Sequence, residues 1–112
     1  INLTDYIRRK KVEFSPAALQ ELDLIYNMTL SFIKESLKSV EDNDIELANS
    51  LVAKHEAIDK MERRLRKTHI HRLNRGECST QAGVNFIDII SHYTRVADHA
   101  MNLAEKVQLE QI

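Results

Sequence analysis

FIDIISHYTRVADHAMNLAEKV, residues 86–107, decides the fold. Its apolar residues return every third or fourth position: Phe86, Ile89, Ile90, Tyr93, Val96, Ala97, Ala100, Leu103, Ala104 and Val107. That spacing follows the helical period of about 3.6 residues and gathers them on one face. No run of useful length in the chain alternates with period two, so no sheet is expected. Ser79 or Thr80 supplies an N-cap, since a hydroxyl there accepts from a free N–H of the first turn. The pattern predicts a helix over about 80–109.

Upstream lies a helix end. Gly76 stands where a left-handed residue closes a helix, and Arg72 and Arg75 suit the negative end of the helix dipole. The helix they close runs over about 45–74, with a seam of Leu47, Ala48, Leu51, Ile58, Met61, Leu65 and Leu73. The turn Glu41-Asp42-Asn43-Asp44 precedes it, and Asn43 or Asp44 caps it. Before that turn, Ser15-Pro16 starts a helix over about 16–41, with Leu19, Leu22, Ile25, Tyr26, Phe32, Ile33 and Val40 along its seam. Short connections make successive helices antiparallel, and three one-sided apolar stripes bury each other best in one shared core. The expected fold is all-α: an up-down-up antiparallel three-helix bundle over 15–112, preceded by a basic segment or linker over 1–14.

Composition agrees. The chain has 112 residues, enough for one domain and too few for two. Two glycines and one proline are too few for a chain of many turns. A net charge of -1 and the lack of a grouped aromatic and basic surface argue against nucleic-acid binding. Cys78 is alone, so no internal disulfide forms and a reducing compartment fits. No apolar stretch approaches the ~20 residues of a membrane span, and no signal peptide is visible. The chain opens on Ile1 instead of methionine, which predicts a piece of a longer protein.

No phosphate-cradling glycine loop, nucleophile elbow or paired-histidine zinc motif occurs, and the seam interiors carry no Glu-x-x-His. No residue is therefore assigned catalysis. Nothing in the sequence places a histidine beside Cys78, which reads as a partly buried loop thiol. His55 and Asp59 are four apart, one turn above the other at the edge of the second helix's stripe. Thr94 and Asp98 hold the matching edge of the third helix, with Glu56 and Asn102 further toward solvent. Antiparallel packing brings these edges side by side, the way bundles assemble metal sites. The plainer reading makes His55 a boundary residue and pairs the aspartates with Lys60 or Arg95. His92, Arg95 and His99 read as solvated surface, while His69 and His71 turn away from each other. The basic residues Lys60, Arg63, Arg64, Arg66, Lys67, Arg72 and Arg75 are spread around their helix and read as a solvated face. The run Arg8–Lys11 has the composition of a cytoplasmic flank of a membrane span, and equally that of an ordinary charged tail.

The stretch Tyr93-Thr94-Arg95-Val96-Ala97-Asp98-His99-Ala100-Met101-Asn102-Leu103-Ala104-Glu105 resembles the signature E-R-[IV]-[AG]-D-H-x-x-N-[IL]-A-E of the PhoU-like family. His71 to Ser79 is similar to the turn of PhoU-like domains fused to sodium/phosphate cotransporter family II-related proteins, and His55-Glu56-Ala57-Ile58-Asp59 to the family's D-x-x-I-D element. The resemblance implies a non-catalytic cytoplasmic domain that regulates an attached phosphate transporter by docking or oligomerisation. Its partners would be a membrane transporter domain, in the same full-length chain, and a second copy in a homodimer. It also implies metal-binding acidic pairs spaced four apart, which fall here on His55 with Asp59 and Thr94 with Asp98. Both leading acids are replaced. Asp59, Asp98 and His55 thus suit one transition-metal ion (iron, zinc, manganese or nickel), with Glu56, Thr94 and Asn102 as neighbours. The rival reading is a helical adaptor with no ligand.

Overall fold

The computed structural model describes residues 14–109. The run Arg8–Lys11 and nearly all of the expected 1–14 segment lie outside the described residues. The architecture is the expected one: α1 Pro16–Glu41, α2 Ile45–Asn74 and α3 Thr80–Leu109, with no strand among the described residues. The bundle is a long slab of 53 × 25 × 16 Å. No helix among the described residues is long and apolar enough to cross a membrane.

Local chemistry sets each boundary. Ser15 Oγ accepts from Ala18 N at 3.2 Å, and Pro16 takes the first helical position, where no N–H is missed. Asp44, not Asn43, caps α2 by accepting from Leu47 N at 3.0 Å. Ser79, not Thr80, caps α3 by accepting from Ala82 N at 3.1 Å. Both turns close the same way. Asn43 and Gly76 take positive φ values of 50° and 72°, and the next N–H reaches back five residues: Asp44 N to Ser39 O and Glu77 N to Arg72 O, both 2.9 Å. Asparagine is one of the few side chains that tolerates this left-handed geometry.

The core divides into two clusters. One holds Leu22, Ile25, Leu65, Phe86, Ile89 and Ile90. The other holds Phe32, Leu51, Ile58, Met101 and small residues, Ala48, Ala97, Ala100 and Ala104 among them. α1 also buries Ser36 and Ser39. Each hydroxyl is satisfied on its own helix, Ser36 on Phe32 O and Ser39 on Ser36 O.

This packing corrects the expected seam. Leu19, Val40 and Leu103 are exposed; Ala18, Thr29, Ser36, Ser39 and Met101 are buried instead. The apolar arc of α1 is wider than its core contact needs. The core took the side carrying Ala, Ser and Thr and left a second apolar stripe outside. The basic face of α2 is also less free than expected. Arg66 binds the buried Glu62 and Ser91 Oγ, and Arg72 grips Glu21 through two bonds of 2.6 and 2.8 Å. Lys60, Arg63, Arg64, Lys67 and Arg75 are exposed as expected.

Candidate functional site

α2 and α3 run antiparallel and bring their matching edges together. His55 Nε2 lies 2.7 Å from Asp98 Oδ1, and His55 Nδ1 lies 3.8 Å from Asp59 Oδ2. The expected pairing of the aspartates with Lys60 or Arg95 does not form. The imidazole sits against the Phe32 ring, 5.9 Å between centroids, which fixes its position from the core side. Asp98 is exposed, while His55 and Asp59 are half-buried. Thr94 does not join them: its hydroxyl donates to Ile90 O of its own helix at 2.9 Å. Glu56 and Asn102 are exposed and outside the group.

The donor set fits a single ion. One imidazole nitrogen and two carboxylate oxygens lie within 4.8 Å of one another. Two atoms bound at ~2.1 Å from one ion are at most ~4.2 Å apart, so small side-chain rotations close the set. Mixed nitrogen and oxygen donors suit zinc, iron, manganese or nickel. With three protein donors at the surface, the remaining positions would fall to water.

A second polar cluster was not legible in the sequence. Cys78 Sγ lies 3.6 Å from His69 Nε2, so a histidine does stand beside the lone thiol. His69 is 1% exposed and stacks flat on Phe86, 4.0 Å between centroids and 6° between planes. Arg72 Nη1 lies 3.4 Å from His69 Nδ1. A guanidinium only donates, so Nδ1 accepts, and the ring proton resides on Nε2, facing the sulfur. One signal foretold the burial: Ile58, Glu62, Leu65 and His69 continue a single seam at helical spacing.

Burial, seconded by the Arg72 charge and opposed by Glu21, holds the His69 pKa below its ordinary value. At neutral pH the ring is neutral in both folded and unfolded chains. As pH falls past about 6.5, the unfolded chain takes up a proton that the folded one resists, so stability declines. Thermal melts from pH 7.5 down to 5 are expected to show this fall, and His69→Phe is expected to flatten it. An equal slope in that variant would place the titration elsewhere. Across the bundle, burial and then Tyr26 push the Tyr93 phenol up to about 12.

The model of the PhoU domain matches residues 22–107. Over 102 residues the chain is 30% identical to the phosphate-specific transport system accessory protein PhoU homolog 1 of Thermotoga maritima. The match takes in 91% of this chain and 43% of that relative, so the chain spans less than half the relative's length. No solved structure matches the chain significantly.

Proposed function

The chain belongs to the PhoU domain family, and on that premise we propose that it is a non-catalytic regulatory unit of a phosphate transport system. The unit works at the cytoplasmic face of a membrane, docked on a transporter of the sodium/phosphate cotransporter kind carried in the same full-length chain or beside it. A second copy supplies the further three-helix unit for which the longer relative has room. The observation that carries this reading is the group His55, Asp59 and Asp98, which lies within the matched span and astride the α2–α3 seam.

A regulator needs a ligand that favours one of two arrangements, since a ligand equal toward both shifts nothing. An ion at this group supplies positive charge between two carboxylates and a link between α2 and α3. The chain's own residues do the rest. Phe32 sets the imidazole, Asp98 reaches from α3 and Asp59 from α2. A transporter surface that senses how the two helices sit would then read the occupancy of the site.

The test is phosphate uptake by cells carrying the full-length protein. Asp59→Ala/Asp98→Ala is expected to leave protein abundance unchanged and to abolish the response of uptake to external phosphate. Uptake and its response both unchanged after removal of residues 15–112 would refute the regulatory reading.

A further inference from the structure

Between Lys60 and its C-cap Arg75, α2 carries seven Lys and Arg side chains, and the fold engages two of them. Arg66 is held by Glu62 and Ser91, and Arg72 by Glu21. The other five, Lys60, Arg63, Arg64, Lys67 and Arg75, are exposed, and none forms an ion pair among the described residues. Once Arg66 and Arg72 are set aside, the charge is no longer spread around the helix. At about 100° per residue the five fall, with Ile70 and His71, within an arc of about 140°. The buried residues Leu51, Ile58, Leu65 and His69 take the opposite side, so the stripe faces away from the core. It runs 16 residues, about 24 Å at 1.5 Å per residue. Glu56 stands before it and Glu77 after it.

The stripe also has an apolar floor. Ile70 is 42% exposed. It shares an open cleft of about 420 Å³ with Arg63, Arg66, Lys67 and His71. Long cationic side chains lay their methylenes along apolar surface and keep their heads in water. Charged heads over an apolar floor, along one helix face, are what a membrane interface selects.

We infer that this face of α2 rests on an anionic bilayer surface, with the five cations among the headgroup phosphates and Ile70 beneath them. Nucleic acid is a poorer match. α2 carries no Phe, Tyr or Trp on which bases stack, and the stripe lies on a convex helix instead of in a groove. An acidic protein would set Ile70 against carboxylates, whereas a bilayer takes an apolar side chain below its headgroups. The attraction is a sum over charges, about fivefold in affinity for each cation near the surface. The stripe follows the helix axis, so contact lays the bundle flat on the membrane.

Flotation of the 112-residue chain with phosphatidylcholine vesicles, plain or with about 30% phosphatidylglycerol, tests it. Wild type is expected to bind only the anionic vesicles, and at least about tenfold more weakly at about 0.5 M salt than at about 0.05 M. Lys60→Gln/Arg64→Gln/Lys67→Gln is expected to weaken binding about 100-fold. Ile70→Ser is expected to weaken it about fivefold. The basic run Arg8–Lys11 is a second source of charge, so each measurement is repeated in Arg8→Ser/Arg9→Ser/Lys10→Ser/Lys11→Ser, where the same losses are expected. Circular dichroism of each variant checks the fold. Equal binding to both vesicles overturns the proposal. So does a triple variant within about threefold of its parent, an Ile70→Ser that binds unchanged, or a preference for duplex DNA or polyglutamate over vesicles of equal charge. Vesicle binding is read without phosphate uptake, so this inference and the regulatory reading can each fail alone.

Discussion

Phe86→Ala is expected to destabilise the bundle by about 3–5 kcal/mol, measured by urea unfolding. Phe86 is fully buried, and three elements depend on it. Phe14 meets its ring edge-on at 6.3 Å, closing the chain over the start of α1. Leu22, Ile25 and Leu65 pack around it from α1 and α2. His69 stacks on its face. Alanine removes the transfer contribution, opens a cavity and forfeits two aromatic contacts of about 0.5–1.5 kcal/mol each. For a domain of this size that is a fall in Tm on the order of 15–30 °C. The same variant opens the His69 ring to water, so the acid-sensitive part of the stability shrinks along with the total. A loss under about 1.5 kcal/mol would mean that the cluster collapses onto the gap, and that long helices and not this ring hold the end of the bundle together.

The boundaries of all three helices were legible because each depends on one or two neighbouring residues. Ser15-Pro16, Gly76 and Ser79 act within a turn of where they stand. Facing was harder to read. Leu19 and Val40 obey the same period as Leu22 and Phe32, and periodicity alone does not say which of two adjoining stripes enters the core. Ala18, Ser36 and Ser39 are buried while Leu19 and Val40 are exposed, so the stripe carrying the small side chains is the one that entered the core. The site followed the same rule. His55 and Asp59 are one turn apart on one helix, so their pairing was readable, and antiparallel packing brought Asp98 to them. Thr94 was placed with them on register, but its short hydroxyl found Ile90 O first. The contact of His69 with Cys78 needs the α2–α3 turn to fold back across nine residues, and local sequence carries no trace of that.

Stoichiometric binding of one zinc, manganese, iron or nickel ion is expected in chelator-free protein, and Asp59→Ala/Asp98→Ala should weaken it on the order of 100-fold or more. The variant removes two of three donors from a surface site with no fourth protein ligand to spare, because Thr94 is committed to its own helix. The opposing force is already present. His55 bonds Asp98 directly at 2.7 Å, and an ion must compete with that pair. His55→Ala leaves the two carboxylates facing each other with no imidazole between them. It should lower affinity less for manganese, which accepts oxygen donors, than for zinc or nickel, which favour the imidazole. Equal losses for all four ions would mean that His55 positions the aspartates instead of ligating. Titration calorimetry with each ion reads these differences. A wild type that takes up none of the four, after each is offered, would make His55 with Asp98 a structural clasp between α2 and α3. The helical adaptor without a ligand would then be the better account of the domain.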